Sequence, residues 1–172
     1  QLDNNLGKGK AIIEGLKLSS KEYVFFQDAD LEYDPSDLSK FISIANNFQA
    51  DFIMGSRFIG EKRSVLHFWH MIGNRFLTLL SNIFTDLNLT DMETCYKIVH
   101  ADLLKLLPLS AKRFGFEPEV TALLAKAKAR IYEMPISYNG RSYAEGKKIT
   151  WKDGVAAIYH IFRSNLISPQ LE

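Results

Sequence analysis

The sequence predicts an α/β domain in which a mostly parallel β-sheet is flanked by helices. Strand-like apolar runs alternate with amphipathic helical segments along the chain. Polar residues follow directly on the predicted strands, where ligands collect in such sheets. The chain has 172 residues, 47% of them hydrophobic, which is enough for one core. We therefore interpret residues 1–172 as a single domain.

The first half of the chain alternates helix and strand. Ala11 to Leu18 predicts a short helix, and Tyr23 to Gln27 predicts a buried strand. Asp34 and Pro35 are typical of a helix cap and first turn. An amphipathic helix follows, and "ADFIMGSRF" predicts a second strand that ends at Gly55.

The second half is richer in helix. Val65 to Phe84 predicts a long amphipathic helix, and "TCYKIV" predicts a strand before a short helix in "ADLLKLL". The segment "PEVTALLAKAKA" indicates a helix, and "RIYEMPISY" indicates a strand. A last helix carries an apolar stripe at Val155, Ile158, Tyr159, Phe162 and Leu166.

Composition disfavours several classes of protein. With 21 basic and 20 acidic residues the net charge is +1, which is unlike a protein that binds nucleic acid through its phosphates. The single cysteine, Cys95, excludes an internal disulfide and is interpreted as a buried, unreactive thiol. A reducing cytoplasmic location is expected. The chain contains no run of about 18 uncharged apolar residues, which is the length needed to span a bilayer.

An acidic cluster follows the first predicted strand in "QDADLEYDP". Two aspartates separated by one residue can direct their carboxylates at a common centre, and such hard oxygen ligands suit Mg²⁺ or Mn²⁺. We therefore predict Asp28, Asp30 and Glu32 as ligands of Mg²⁺ or Mn²⁺, with Asp34 as a helix cap. The alternative is a solvated acidic turn that only caps the helix.

A metal-bound diphosphate also needs cations for its remaining charge. Arg57, Arg75 and Arg141 each lie beside Gly or Asn, which lets a phosphate approach the guanidinium fork. Lys147 and Lys148 lie in the same glycine-bracketed segment as Arg141. An exposed arginine with no ligand is the alternative for any one of these residues.

Taken in order, these segments resemble family 2 glycosyltransferases, and in particular the dolichol-phosphate mannosyltransferases and related polyprenyl-phosphate glycosyltransferases. The resemblance is carried by "GKGKAIIEGL", "QDADLEYDP", "GSRF", "GNRFLTLLSNIFTDLNLTDMETCYKI", "RFGFEPEVTALLAK" and "MPISYNGRSYAEGKKITWKDG". It implies a GT-A (Rossmann-like) fold and a metal-dependent, inverting transfer of a hexose. The implied donor is a nucleotide sugar, with GDP-mannose as the first candidate, and the implied acceptor is a dolichyl or polyprenyl phosphate.

The resemblance also implies roles for individual residues. Asp28 and Asp30 match the metal ligands of the D-x-D motif, and Glu32 stands at a third position that can touch the metal. Arg75 matches an acceptor-phosphate position, and Asp91 matches an acid proposed as a base in some relatives. The implied donor-binding residues are Ala29, Arg57, Arg141 and Lys147.

Two further expectations follow from the resemblance. Relatives carry a base-gripping strand and acidic loop about 50 residues ahead of "GKGKA", and nothing here matches it, so we expect the N-terminal nucleotide-binding part to be missing. A UDP-sugar transferase and a non-catalytic metal-binding fragment therefore stay open as alternatives. A stripe on the long helix is expected either to lie peripherally on a membrane or to pack on the protein's own core. It consists of Leu66, Trp69, Ile72, Phe76 and Leu80.

Overall fold

The computed structural model describes residues 7–29, 31–60, 68–111, 115–140 and 151–168. Helices and strands alternate through these ranges, which confirms the predicted α/β class. The helices are α1 (Lys8–Lys17), α2 (Leu38–Phe48), α3 (Phe68–Thr85), α4 (Ala101–Leu106), α5 (Phe116–Lys126) and α6 (Trp151–Leu166). The strands are β1 (Tyr23–Phe26), β2 (Phe52–Ser56), β3 (Lys97–His100) and β4 (Ile131–Pro135).

The four strands form one sheet in the order β1-β3-β2-β4. β2 and β4 are parallel, whereas β3 runs antiparallel to both of its neighbours, β1 and β2. Three of the four described strands therefore point the same way, as a mostly parallel sheet requires, but the pairing is mixed. The prediction missed the reversal of β3 because a strand's direction depends on the path of its connections and leaves no mark on its own pattern.

The reversal of β3 decides where the loops meet. Polar loops leave the carboxyl ends of β1, β2 and β4 at one edge of the sheet. Because β3 is reversed, its amino end lies at this same edge. The loop that precedes β3 therefore joins the loops that follow the other three strands.

Both faces of the sheet are covered. Alternate residues of β2 point to opposite sides, so that Phe52 and Met54 contact one apolar cluster and Ile53 the other. The first cluster packs under α1, α4 and α5, and the second packs under α2 through Phe41 and Ala45. The sheet is thus the middle of three layers.

The helix predicted after Asp34 and Pro35 begins with a short 3₁₀ turn, Pro35–Asp37, that leads into α2. The Asp34 carboxylate accepts a hydrogen bond from the backbone N–H of Ser36 at 2.9 Å. This bond satisfies one of the amide groups that a helix start leaves without a partner. The prediction that Asp34 is a cap is confirmed.

An exposed apolar face runs along α3 and α6, which pack side by side through the ring contact of Phe84 with Phe162 at 5.1 Å. Of the stripe predicted on α3, Trp69 and Phe76 are 78% and 55% exposed, whereas Leu66 lies outside the described residues. We call this surface the α3–α6 face. It consists of Phe68, Trp69, Ile72, Phe76, Leu79, Ile83, Val155, Tyr159, Phe162 and Leu166.

Candidate active site

A buried ion pair between Arg57 and Asp91 lies at the edge of the sheet where the loops meet. Arg57 directly follows β2, and Asp91 lies in the loop before β3. The Asp91 Oδ2 atom accepts from the backbone N–H of Arg57 at 3.0 Å and from its Nε at 2.7 Å, while Oδ1 accepts from Nη2 at 2.8 Å. The Asp91 side chain is 0% exposed and the Arg57 side chain 14%. Burial alone would lower the pKa of Arg57, but the charge and hydrogen bonds of Asp91 outweigh it and raise that pKa well above its usual value.

A fourth donor to Asp91 comes from α3. The Asn74 Nδ2 atom donates to Asp91 Oδ1 at 3.1 Å, and Asn74 Oδ1 accepts from the Thr78 hydroxyl at 3.3 Å. Each oxygen of the Asp91 carboxylate therefore has two donors. Arg75 is the next residue of α3 and is exposed.

The backbone around Asp91 is held almost entirely by side chains. We call residues 89–92 the Asp91 loop. Four successive backbone N–H groups of this loop donate to side-chain oxygens. Their acceptors are Asn82 for Leu89, Glu133 for both Thr90 and Asp91, and Thr78 for Met92. The loop is irregular, so without these acceptors its buried amide groups would lose their partners.

Two further side chains complete the support of the Asp91 loop. The hydroxyl groups of Thr90 and Ser56 hydrogen-bond at 2.6 Å, which ties the loop to the end of β2. The buried Lys97 Nζ donates to the carbonyl oxygens of Met92, at 3.0 Å, and Thr94. Burial lowers the pKa of Lys97, against the opposing effect of Glu117 and other negative groups.

Tyr138 links Glu32, in the acidic segment after β1, to the Arg57–Asp91 ion pair. The Arg57 guanidinium lies 5.2 Å from the centre of the Tyr138 ring, and the Tyr138 hydroxyl donates to Glu32 Oε2 at 2.9 Å. The backbone N–H of Asn139 donates to the Glu32 carbonyl oxygen at 2.8 Å, which fixes the two segments against each other. Burial raises the pKa of Tyr138 to about 12, so the hydroxyl keeps its proton near neutral pH.

A second, partly buried charge cluster surrounds Asp28. The Lys8 Nζ atom lies 3.0 Å from Asp28 Oδ1 and 2.8 Å from Glu117 Oε1, and it donates to Cys95 Sγ at 2.8 Å. Burial opposes the charge on Lys8, but Glu117, Cys95 and Asp28 together raise the pKa of Lys8 above its usual value. Burial and Glu117 raise the pKa of Cys95, which fits the predicted unreactive thiol.

Two of the three predicted metal ligands, Asp28 and Glu32, lie among the described residues. Asp30 lies outside the described residues, and within the described ranges no group of three His, Cys, Asp or Glu side chains is close enough to hold a metal ion. Asp28 and Glu32 supply the carboxylate oxygens that Mg²⁺ or Mn²⁺ prefers, and Asp28 already lies against a positive charge, that of Lys8. The donor chemistry present therefore fits a divalent cation.

The structure brings together some of the predicted site residues and leaves others apart. Arg57 contacts Asp91 directly, and Tyr138 links Arg57 to Glu32. Asp28 belongs to the neighbouring Lys8 cluster, and Ala29 and Arg75 are exposed. The remaining predictions, Asp30, Arg141, Lys147 and Lys148, lie outside the described residues.

Sequence reasoning missed several residues that build this site. They are Ser56, Asn74, Glu117, Glu133 and Tyr138. Glu133 did leave one signal, because it is the only charged residue in the strand segment "YEMPISY". Asn74 stands next to the predicted Arg75, but nothing in its pattern indicates a contact with Asp91.

The chain belongs to glycosyl transferase family 2, whose sequence model matches residues 1–107. The predicted family is confirmed. Three curated relatives match most of the chain at 27–30% identity. They are a low-salt glycan biosynthesis hexosyltransferase of Haloferax volcanii (27% over 150 residues), an undecaprenyl-phosphate mannosyltransferase of Micrococcus luteus (29% over 150) and a UDP-N-acetylglucosamine–dolichyl-phosphate N-acetylglucosaminyltransferase of Methanococcus voltae (30% over 156).

The match covers 86%, 82% and 86% of this chain, respectively. It covers only 36%, 60% and 62% of the three relatives. The chain therefore spans between about a third and three fifths of the length of the curated relatives it matches.

Solved structures confirm the predicted GT-A fold. Glucosyl-3-phosphoglycerate synthase of Mycobacterium tuberculosis, in complex with Mn²⁺, UDP-glucose and phosphoglyceric acid, matches with a TM-score of 0.69 at 16% identity. That match covers 95% of this chain and 56% of the synthase chain. Another crystal structure of the M. tuberculosis synthase gives a TM-score of 0.71 over 98% of this chain and 58% of its own. At this level of identity the likeness concerns the fold alone.

Burial should make the Arg57–Asp91 pair strongly coupled, and the chain offers a matched control. Arg130 and Asp51 make the same three bonds, from backbone N, Nε and Nη2, but the Arg130 side chain is 53% exposed. In a double-mutant cycle of Arg57→Ala and Asp91→Ala, either single change should destabilise the fold by about 3–5 kcal/mol, because it strands a buried charge. The double change should cost far less than the sum.

The measurement is urea unfolding of the four proteins in each cycle. The cycle of Arg130→Ala and Asp51→Ala should give a much smaller coupling energy, because water screens an exposed pair. Equal coupling energies in the two cycles would contradict the importance of burial at Asp91.

Proposed function

We propose that the protein to which this chain belongs transfers a sugar from a nucleotide sugar to a polyprenyl or dolichyl phosphate. The observation that carries the proposal is the convergence of Glu32, Arg57 and Asp91 at one edge of a GT-A sheet. Two of the curated relatives are named for lipid-phosphate acceptors, which supports the same acceptor here. Mannose from GDP-mannose is our first candidate, in line with the undecaprenyl-phosphate mannosyltransferase.

The donor diphosphate would lie against the cations of this edge. We assign Arg57, Arg141 and Lys147 to the donor phosphates and Ala29 to the wall beside them, whereas Arg75, exposed on α3, would receive the acceptor phosphate. Asp28, Asp30 and Glu32 would hold Mg²⁺ or Mn²⁺. The bound ion would neutralise diphosphate charge and so favour departure of the nucleoside diphosphate.

Asp91 would act chiefly by holding Arg57 in place. The four hydrogen bonds that its carboxylate accepts from described residues also fix its orientation. A phosphate acceptor is an anion near neutral pH, so its attack needs no general base. Positioning and charge stabilisation would then carry the catalysis.

Two alternatives have support of their own. A UDP-sugar donor is favoured by the relative named for UDP-N-acetylglucosamine and by the synthase structure that contains UDP-glucose. A metal-binding fragment without turnover is favoured by the share of the relatives' length that the chain spans. The donor is decided by assays on the full-length protein, and the fragment alternative by the same assay on residues 1–172.

The α3–α6 face would place the protein at the cytoplasmic surface of a membrane, where a lipid phosphate is found. The only charged residue in α3 is Arg75, so the helix presents one cation among exposed apolar side chains. The exposed apolar side chains support burial of α3 in a membrane interface, although the helix lacks the Lys- and Arg-rich polar face of a typical interfacial helix. None of the helices in the described ranges is both long and apolar enough to cross a bilayer.

The test of the proposed reaction is a transfer assay on the full-length protein with Mn²⁺, a polyprenyl phosphate and labelled GDP-mannose, UDP-glucose or UDP-N-acetylglucosamine. Wild-type protein should label the lipid from one donor, and removal of Mn²⁺ with a chelator should stop transfer. Asp30→Ala should lower kcat/KM by on the order of a thousandfold, because it removes a metal ligand. Glu32→Gln should be milder, since an amide oxygen can still coordinate.

The matched control for Asp30→Ala is Asp34→Ala, which removes an acid of the same cluster whose carboxylate caps the turn before α2. It should keep wild-type transfer. Near-native transfer by Asp30→Ala in Mn²⁺ would refute the metal assignment. A wild-type enzyme that labels no lipid from any of the three donors would refute the proposed reaction.

Membrane attachment is tested by sedimentation with vesicles of phosphatidylcholine and phosphatidylglycerol. Changing Trp69 and Phe76 to Ser together should weaken binding at least about tenfold, because two aromatic side chains no longer enter the interface. Leu18→Ser with Leu106→Ser is the control, since these side chains are 86% and 75% exposed but lie at the C-terminal ends of α1 and α4. Equal binding by both double variants would contradict a membrane role for the α3–α6 face.

A further inference from the structure

We propose that Glu133 is a positioning residue that orients Arg57 through the Asp91 loop, an inference that rests on the donor-binding role proposed above for Arg57. Glu133 lies in the middle of β4, opposite Met54 of β2. Its side chain is partly buried and reaches the loop that precedes β3. Among the described residues it touches none of the groups that would contact the substrates, so its effect on them passes through the backbone of the Asp91 loop.

The geometry of the contact is that of a carboxylate gripping two successive peptide groups. Glu133 Oε1 accepts from the N–H of Thr90 at 2.9 Å and from the N–H of Asp91 at 3.0 Å, and Oε2 accepts from Thr90 at 3.0 Å. Two neighbouring N–H groups can point at one acceptor only over a narrow range of backbone angles. These hydrogen bonds therefore set the direction in which the Asp91 side chain leaves the backbone.

That direction matters because Asp91 aligns the Arg57 guanidinium with two parallel hydrogen bonds, Nε to Oδ2 and Nη2 to Oδ1. Such a fork fixes the plane of the guanidinium as well as its position. A change in the Asp91 backbone of a few tenths of an ångström would be passed to the Arg57 atoms that face the donor. The chain of contacts is Glu133, the amides of residues 90 and 91, Asp91, and Arg57.

A partly buried carboxylate at this position has a desolvation cost that a neutral hydrogen-bond acceptor would avoid. Burial raises the pKa of Glu133, and the nearby charge of Asp91 adds to this effect, whereas the backbone bonds oppose it. Within the described ranges no Lys, Arg or His forms an ion pair with Glu133, so its charge is met there by hydrogen bonds from residues 90 and 91. The bonds to a charged acceptor are stronger than those to a neutral one and hold the loop more rigidly.

The chain contains a matched control in Glu119. One of its oxygens also accepts from two successive backbone N–H groups, those of Ser110 at 2.9 Å and Ala111 at 2.8 Å. Its side chain is more deeply buried than that of Glu133, at 1% exposure, and it lies on α5 next to Arg163 of α6. Loss of either carboxylate thus strands the same kind of amide pair, and only Glu133 is connected to Arg57.

The experiment compares Glu133→Leu with Glu119→Leu in the full-length protein, with kinetics expressed per folded enzyme. Both variants should lose stability in urea. Glu133→Leu alone should raise the KM for the nucleotide sugar and lower kcat/KM by on the order of a hundredfold, with the KM for the lipid phosphate unchanged. Glu133→Gln keeps one oxygen acceptor and should recover part of the loss.

Two readouts separate positioning from stability. In an Arg57→Lys background, Glu133→Leu should cause little further loss of kcat/KM, because the residue it positions is already gone. The Nε–Hε signal of Arg57 in a ¹H–¹⁵N spectrum, assigned by its disappearance in Arg57→Lys, should shift in Glu133→Leu and Glu133→Gln but stay in place in Glu119→Leu.

An unshifted Arg57 signal in both Glu133 variants, or equal kinetic losses in Glu133→Leu and Glu119→Leu, would overturn the inference. The spectroscopic readout needs no turnover. If the wild-type protein transfers no sugar and the Arg57 signal still shifts, the proposed function fails and the positioning role of Glu133 stands.

Discussion

The Asp91 carboxylate is the constraint on which the site depends. A fully buried carboxylate is tolerated only with a complete set of donors, because an unpaired charge in the interior costs several kcal/mol. Asp91 takes its donors from Arg57 after β2 and from Asn74 on α3. One side chain thereby fixes the distance between a strand end and a helix. Because Asp91 fixes these donors, it also fixes the positions of the exposed residues next to them, above all Arg75.

Asp91 can fill this role because β3 runs against its neighbours. In a fully parallel sheet the loop before a strand lies at the opposite edge from the loops that follow the strands. The reversed strand carries its amino end, and with it the Asp91 loop, to the edge where Arg57 and Tyr138 follow β2 and β4. The loop has no regular structure of its own, and its N–H groups depend on side chains of α3 and β4. The topology brings the Asp91 loop to this edge of the sheet, and long-range hydrogen bonds fix the conformation of the loop there.

The sequence predicts what local pattern determines and misses what distant contacts determine. The run "YVFFQ" predicts a strand, and the spacing of Phe41 and Ala45 predicts a helix. Both can be recognised because buried residues recur in the sequence with the spacing of the element. Arg57 could be found because it follows a predicted strand, but its partner stands 34 residues away across the reversed β3. Glu133 contacts an amide 42 residues distant, and a single acid in a strand does not reveal such a partner.

The apolar faces of α3 and α6 also depend on contacts that the sequence pattern does not reveal. Periodicity predicts that α3 and α6 each have an apolar side, and they do, but it does not show what that side faces. In α6 the fully buried residues are Ala157, Ile161 and Ser164, while Tyr159 and Leu166 of the predicted stripe are exposed. α6 packs against α5 and α3, and Tyr159 and Leu166 stay on the outer surface. A pattern alone cannot separate this arrangement from an ordinary core helix.

Amide hydrogen exchange of the Asp91 loop, measured by NMR, tests most directly whether this loop is the rigid centre of the site. The N–H groups of Leu89, Thr90, Asp91 and Met92 should exchange nearly as slowly as those of β3, because each is held by a side chain that must be dislodged before exchange. Exchange at the rate of an open surface loop would contradict this, since it would mean that the Asp91 loop opens easily and does not hold Arg57 in place.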